Sequence, residues 1–440
     1  MNETRRDFLI RSTSTVAISA ASYSRVFGAN ERAVRVLQIG CGGQGRNHLN
    51  SYNTLADVEI VGLCDPDRNQ LTEAAKIAGT AKHYSDVRIA LEQSGAEAVS
   101  IATPDHWHVP AALLSLQAGK HVYVEKPCSH NLREGRLLAD AAQRTGLKVQ
   151  HGTQSRSSRF IIETMNHLRE GVIGEVLLAK AWNVQRRGNI GHASPSEPPA
   201  HVDYELWVGP APFLPFQSNR FHYNWHWWYN FGTGDAGNDG VHEIDYALWG
   251  LGVESHPSKV VALGGKRYHD DDQQFPDTMT AVMDFPKSTN SGRIKQLIFE
   301  MRLWSTNAPY NIDNGVEYHG TKGRVLVTKR GKVQFFGERD KPLDIAPAEI
   351  SGVSVATHQL NFLNAVRDNE PLNAPADIAH RSAAICHLAN AAVRAGHSID
   401  FDPEKELAVH PEGTRPPDES VNQILRRDYR ENHWAVPAGA

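Results

Sequence analysis

Val34-Arg35-Val36-Leu37-Gln38-Ile39-Gly40-Cys41-Gly42-Gly43-Gln44-Gly45 is the stretch that decides the fold. Its first six residues read as a buried parallel strand. The strand runs straight into Gly-x-Gly-x-x-Gly, and a helix-like stretch follows from Arg46. Strand, glycine loop and helix in that order form a dinucleotide-binding fingerprint. Gly40 permits the tight turn, Gly42 lets the backbone approach a pyrophosphate, and Gly45 allows helix and strand to pack closely. Gly43 and Gln44 complete the phosphate cradle, where the ligand's charge meets the positive end of the helix dipole.

A second strand over 58–64 ends in Asp65, twenty residues past Gly45. An acid there suits the adenine-ribose hydroxyls and repels a 2′-phosphate, so NAD is the expected cofactor. Arg68 nearby keeps NADP open. Further βα units follow. A strand over 98–102 ends at Thr103-Pro104, a helix is expected over 110–119, and a strand over 121–124 ends at Glu125-Lys126-Pro127. A helix over 132–146 and a strand over 147–151 complete the pattern. Alternating β and α elements predict an α/β, doubly wound parallel sheet with ligands at the carboxyl ends of its strands. Thr103, Lys126 and Gln154 fall at or just beyond such ends.

The second half reads differently. Strands are expected over 176–184, 259–266, 278–285, 294–303, 316–319 and 324–328, separated by Gly, Pro and Asn clusters. Helices follow over 358–367 and 376–395, and the Pro- and charge-rich tail after about 402 reads as extended. This predicts an α+β domain whose open, mainly antiparallel sheet has a face for another subunit to cover. The expected division is a signal segment over 1–31, a Rossmann domain over 32–155, a substrate and oligomerisation domain over 156–400, and a tail over 401–440.

A formal net charge of −4 gives no basic footprint for nucleic acid, and no stretch is long and apolar enough to span a membrane. The four cysteines form no Cys-x-x-Cys pair, so neither a disulfide framework nor a zinc site is expected. His106 and His108 face different ways on a helix with no acidic or Cys cluster beside them, so no metal is expected there either. The run Thr4-Arg5-Arg6-Asp7-Phe8-Leu9, followed by a Ser/Ala-rich stretch, resembles a twin-arginine export signal. It predicts a periplasmic protein exported already folded.

Together the glycine loop, Asp65, Thr103-Pro104 with His108, and Gly119-Lys120-His121-Val122-Tyr123-Val124-Glu125-Lys126-Pro127 resemble the Gfo/Idh/MocA oxidoreductase family. The resemblance continues through Gly240-Val241-His242-Glu243-Ile244-Asp245. It implies a Rossmann domain followed by an open-sheet domain, with dimers or tetramers formed through that sheet. It also implies NAD held by the glycine loop, Asp65, Thr103, Pro104, Glu125 and Lys126. The Lys of Glu-Lys-Pro lies between nicotinamide and substrate in the family. Carried over, Lys126 orients a sugar hydroxyl and stabilises developing alkoxide charge. The family's catalytic His of Asp-x-x-x-His aligns with His242, an imidazole suited to take the hydroxyl proton. Where the family often has Asp, this chain has Asn238, which cannot ionise; Asp239 is adjacent.

Gln154, Arg156, Trp227, Asn238 and Asp239 are the expected substrate contacts. Trp227 belongs to the strongly aromatic segment 221–231, whose rings suit the C–H faces of sugars. Three functions fit. The first is NAD-dependent oxidation of a sugar or cyclic-polyol hydroxyl. The second is redox-neutral hydrolysis or lysis of a glycoside through a transient keto-sugar. The third is sugar binding without catalysis.

Overall fold

The computed structural model describes residues 33–288, 291–345, 347, 349–350, 352–410 and 416–439. The twin-arginine reading lies outside them. The first six strands are β1 (Val34–Ile39), β2 (Val58–Cys64), β3 (Lys82–Tyr84), β4 (Ala98–Ile101), β5 (His121–Val124) and β6 (Val149–His151). They form one sheet in the order β3-β2-β1-β4-β5-β6, every pair parallel. Strand order therefore reverses at β1, which pairs with β2 on one side and β4 on the other, and a crevice opens at the carboxyl ends there. Apolar residues of these strands, such as Leu37, Val99 and Val122, are fully buried beneath the flanking helices.

The helix expected from 110 starts five residues earlier, at Asp105, and runs to Gln117 with Pro110 inside it. A proline there removes the bond to the carbonyl four residues back. That carbonyl, of His106, instead accepts from Arg427 Nη2 at 2.9 Å. The helix therefore continues through the proline because a residue 317 positions away takes the freed acceptor.

The second sheet has nine strands. They are β7 (Val176–Asn183), β8 (Lys259–Gly265), β9 (Thr278–Asp284), β10 (Gln296–Arg302), β11 (Asn314–Gly320), β12 (Gly323–Val327), β13 (Val333–Phe336), β14 (Ile399–Asp402) and β15 (Leu407–Val409). Their order is β13-β12-β11-β7-β10-β9-β8-β14-β15, antiparallel except for the β7–β10 pair. Alternation sets the two faces. Met279, Ala281 and Met283 of β9 are buried with the helices Val241–Leu251 and Ala376–Ala395. On β8, Val261 is 45% and Leu263 79% exposed, so the opposite face is open.

The chain after 400 is more structured than the Pro- and charge-rich composition suggested. It supplies β14, β15 and the short helix Glu419–Ile424 before becoming extended. Glu406, in the β14–β15 turn, accepts from His256 (2.9 Å), His380 (3.0 Å) and Arg136. Those hydrogen bonds and charges hold its carboxyl well below the usual range although burial opposes ionisation. This ion-paired staple joins the hairpin to both layers. The helix Val355–Asp368 returns to the first sheet, with Phe362 and Leu363 buried against Val34, Val36 and Tyr123.

Candidate active site

A cleft of about 530 Å³ opens over the carboxyl ends of the parallel strands. Gly40, Gly42, Gly43 and Gln44 line one wall, and Asp65, Thr103 and Pro104 continue it. Gly40 sits at φ +82° with no room for a side chain beside Ala102. A Cβ on Gly45 would collide with the Gly40 carbonyl, so this glycine packs beneath the loop and does not line the cleft. Beyond Gly42 and Gly43 there is open space. The helix Gly43–Tyr52 starts there with no side-chain cap and no acid in its first turn. Its free N–H groups and positive dipole end suit a pyrophosphate. The buried Thr103 hydroxyl also has no partner among the described residues. These features fit a dinucleotide.

Asp65 accepts from the N–H groups of Cys41 (2.7 Å) and Asp67 (2.9 Å), which fix its carboxylate at the cleft. Burial pushes its pKa up to about 6 despite those bonds. Arg68 donates to the Ala200 carbonyl at 2.6 Å and lines a different groove, so it offers no charge to a 2′-phosphate in the cleft. Below about pH 6 Asp65 is protonated and loses its repulsion of that phosphate. The preference for NAD over NADP should therefore narrow between about pH 8 and about pH 5, read as the ratio of calorimetric dissociation constants. An unchanged ratio would place Asp65 away from the ribose.

At the far end of the cleft stand Glu125, Lys126 and Asn238. Glu125 accepts from Gln44 (3.0 Å), His48 (2.9 Å) and Gln154 (3.1 Å). Burial opposes its ionisation, yet the His48 bond and nearby positive charge hold the carboxyl well below its usual range. Gln154 is thus engaged with Glu125 and positions it, and does not line the cleft. Asp105, on the cleft wall, accepts from Thr233 at 2.6 Å. Burial raises its pKa to about 7.

Lys126 Nζ donates to the Asn238 carbonyl at 2.6 Å and to its Oδ1 at 3.3 Å. Asn238 lies in the wide π-turn Ala236–Gly240 that leads into the helix Val241–Leu251. Such turns displace backbone groups from the regular ladder and recur at functional sites. The Asn238 amide also donates to Asp235 at 2.8 Å. Asp235 in turn holds Asn183 (2.9 Å) and Arg187 (3.1 Å). The carboxylate absent at 238 is therefore present three residues earlier, bonded through the Asn238 side chain.

His242 is half-buried in the first turn of the helix Val241–Leu251, behind the cleft lining. Burial, then the charges of Lys329 and Lys126, push its pKa down to about 3, with Asp239 and Glu125 opposing. It is a neutral imidazole at working pH. Asp239 pairs with Lys329 at 2.8 Å and with Arg187 at 3.8 Å. It is committed to this buried network rather than facing the cleft, and its neighbours hold it at about 2 against burial.

Two other expected substrate contacts lie elsewhere. Arg156 grips both oxygens of buried Asp245 at 2.9 and 2.8 Å, under the Trp249 ring. Trp227 is 2% exposed. The segment His222–Trp227 is a 3₁₀-helix, so side chains three apart share a face. His222, Tyr223, Trp225 and His226 occupy the two faces on the cleft, and Trp227 falls on the third. The aromatic run marked this wall but not which rings form it. Trp434 also lines the cleft, from a part of the chain whose sequence carries no such signal.

A Rossmann sheet, a glycine-loop cleft over its strand ends and a second, open sheet define a two-domain dinucleotide-binding protein. Residues 34–153 match the NAD-binding Rossmann fold of the Gfo/Idh/MocA oxidoreductase family, and residues 176–310 its C-terminal α/β domain. The chain belongs to that family.

A D-apiose dehydrogenase from Paraburkholderia graminis is 31% identical over 160 residues, 36% of this chain and 43% of its own length. A glycosyl hydrolase family 109 protein from Shewanella pealeana is 31% identical over 160 residues, 34% of each chain. The chain thus matches less than half the length of these curated relatives. The WlbA dehydrogenase of Bordetella pertussis, solved with NADH and UDP-GlcNAcA, shares the fold with a TM-score of 0.63 at 19% identity. The alignment covers 84% of this chain and 99% of that one.

Proposed function

We propose that this chain is an NAD-dependent oxidoreductase acting on a hydroxyl of a sugar or cyclic polyol. The observation that carries the reading is the Lys126 ammonium. It has three donors, and among the described residues two contacts are made, both to Asn238. One donor is left for a substrate hydroxyl at the end of the cofactor cleft. When bound, NAD supplies a hydride acceptor. Lys126 donates to the reacting oxygen and stabilises its negative charge as the carbon is oxidised. His242, neutral, behind the cleft lining and close enough to feel the Lys126 charge, is the base in this reading and takes the hydroxyl proton once the substrate reaches it. Asp235 holds Asn238, and Asn238 holds Lys126. Tyr223, Trp225 and His226 of the aromatic wall pack against the sugar ring, while His222 pairs with Asp67 at the ribose end of the cleft. Sugar dehydrogenases among the relatives support this substrate class.

A second reading is favoured by Asn238, which leaves no ionisable group beside Lys126 at the family's usual Asp position, and by the glycosyl hydrolase relative. In it the hydride returns to the sugar after a glycosidic bond has broken. One assay separates the two. The protein is loaded with NAD and given a panel of glycosides and polyols. Accumulating NADH marks the dehydrogenase, and released aglycone with no net NADH marks the redox-neutral route. Bound cofactor with no product from any sugar would contradict both.

We propose further that a second copy covers the open face around Val261 and Leu263, giving a homodimer or homotetramer. Export through the twin-arginine route is proposed from Arg5 and Arg6. Changing both to Lys should leave the precursor in the cytoplasm, and normal export of that variant would refute the assignment.

A further inference from the structure

The last fifteen described residues cross back over the first domain and reach the cofactor cleft. Arg427 anchors the crossing. Its guanidinium donates to the His106 carbonyl freed by Pro110 (2.9 Å) and pairs with Glu134 at 2.6 Å, both side chains buried. Tyr429 donates to the same Glu134 at 2.6 Å. Further along, the Arg430 N–H donates to the Pro210 carbonyl at 2.8 Å, and Arg133 holds the Gly439 carbonyl at 2.7 Å. Removing one partner of a buried, hydrogen-bonded ion pair is costly, so these contacts fix the path of the strap.

Between the anchors, Ala435 is buried in the core of the first domain and Trp434 lines the cleft. The indole packs 5.8 Å from the Trp107 ring, with the Arg88 guanidinium 4.1 Å from its centroid. Arg88 follows Val87 in the helix after β3, and Val87 and Ser85 share the cleft wall with Trp434. This is the Asp65 side of the glycine loop, opposite Lys126 along the β-strand order. A dinucleotide with its pyrophosphate on Gly42–Gly43 and its ribose on Asp65 directs its adenine here.

We propose that Trp434 is an adenine-binding residue, and that the C-terminal strap supplies one wall of the adenosine half of the NAD site. This rests on the cofactor reading of the cleft. Stacking of a base on an aromatic ring corresponds to about 5- to 100-fold in dissociation constant. The Arg88 guanidinium on Trp434 fixes the ring before the ligand arrives, so little ordering remains on binding.

The test uses the full chain stripped of nucleotide, with NAD, AMP and nicotinamide mononucleotide titrated by calorimetry. The unaltered protein binds NAD. Trp434→Ala weakens NAD and AMP alike by about 5- to 100-fold, leaves nicotinamide mononucleotide unchanged, and speeds NADH release in stopped-flow fluorescence. Trp434→Leu keeps apolar contact with Trp107 but lacks a π face, so it shows the same loss with an unaltered melting temperature. Trp434→Phe restores most of the affinity. Unchanged AMP affinity in a stably folded Leu variant overturns the proposal, as does an equal loss for nicotinamide mononucleotide. Failure of the unaltered chain to bind NAD overturns the cofactor reading instead.

Discussion

Replacing Lys126 with Met is expected to lower turnover by about 10²–10⁴-fold while leaving NAD affinity within a few-fold of the unaltered protein. The methionine keeps the length and apolar stem of lysine and removes all three donors. Asn238 remains tied to Asp235 at 2.8 Å, so the π-turn keeps its shape and the loss falls on the chemistry. The phosphate cradle and Asp65 lie at the other side of the cleft and are untouched. The loss should appear in kcat as well as kcat/KM, because the charge on the reacting oxygen grows toward the transition state. A change confined to KM would make Lys126 a binding residue only.

Loss of His242 has a comparable effect and a different pH signature. With its pKa pushed to about 3, the imidazole stays unprotonated from mildly acidic pH upward. His242 should therefore contribute no acid limb near the usual histidine range of about 6.5, and a limb between about pH 6 and 7 that survives its replacement reports Asp65 or Asp105 on the cleft wall. An imidazole held that low is a weak base, which makes the Lys126 charge on the developing alkoxide all the more necessary. His242→Asn keeps the side chain polar and removes the proton acceptor. Turnover should fall by about 10²–10⁴-fold, and the residual rate should rise with pH because hydroxide then takes the proton. A residual rate that is flat with pH, or a loss of only a few-fold, would leave His242 a structural role beside Lys329 and Asp239.

How far the sequence carried depended on whether the relevant physics was local. The β1 strand, the glycine loop and the helix after it are contiguous, and their geometry follows from residue type and order. Asp65 and Lys126 sit at strand ends that hydrophobic periodicity locates. Arg156 looked free because nothing near 156 shows that Asp245 awaits it 89 positions away. Trp227 was separable from Trp225 and His226 only once the segment was known to turn with three residues per turn rather than 3.6. The helix at Asp105 was hidden by Pro110, whose cost is met by Arg427 across the chain. The same distant crossing brings Trp434 to the cleft, with no motif to announce it.

The proposed reaction passes a hydride from a sugar carbon to nicotinamide in the cleft that Lys126 lines, with His242 behind that lining. Its most direct test is a single-turnover experiment with a substrate deuterated at the oxidised carbon, quenched early, with the bound cofactor analysed by mass spectrometry. Deuterium is expected in the reduced cofactor of the unaltered protein, in either the net or the redox-neutral reaction, and almost none with Lys126→Met. Product formed by the unaltered protein with no deuterium ever reaching the cofactor would contradict it.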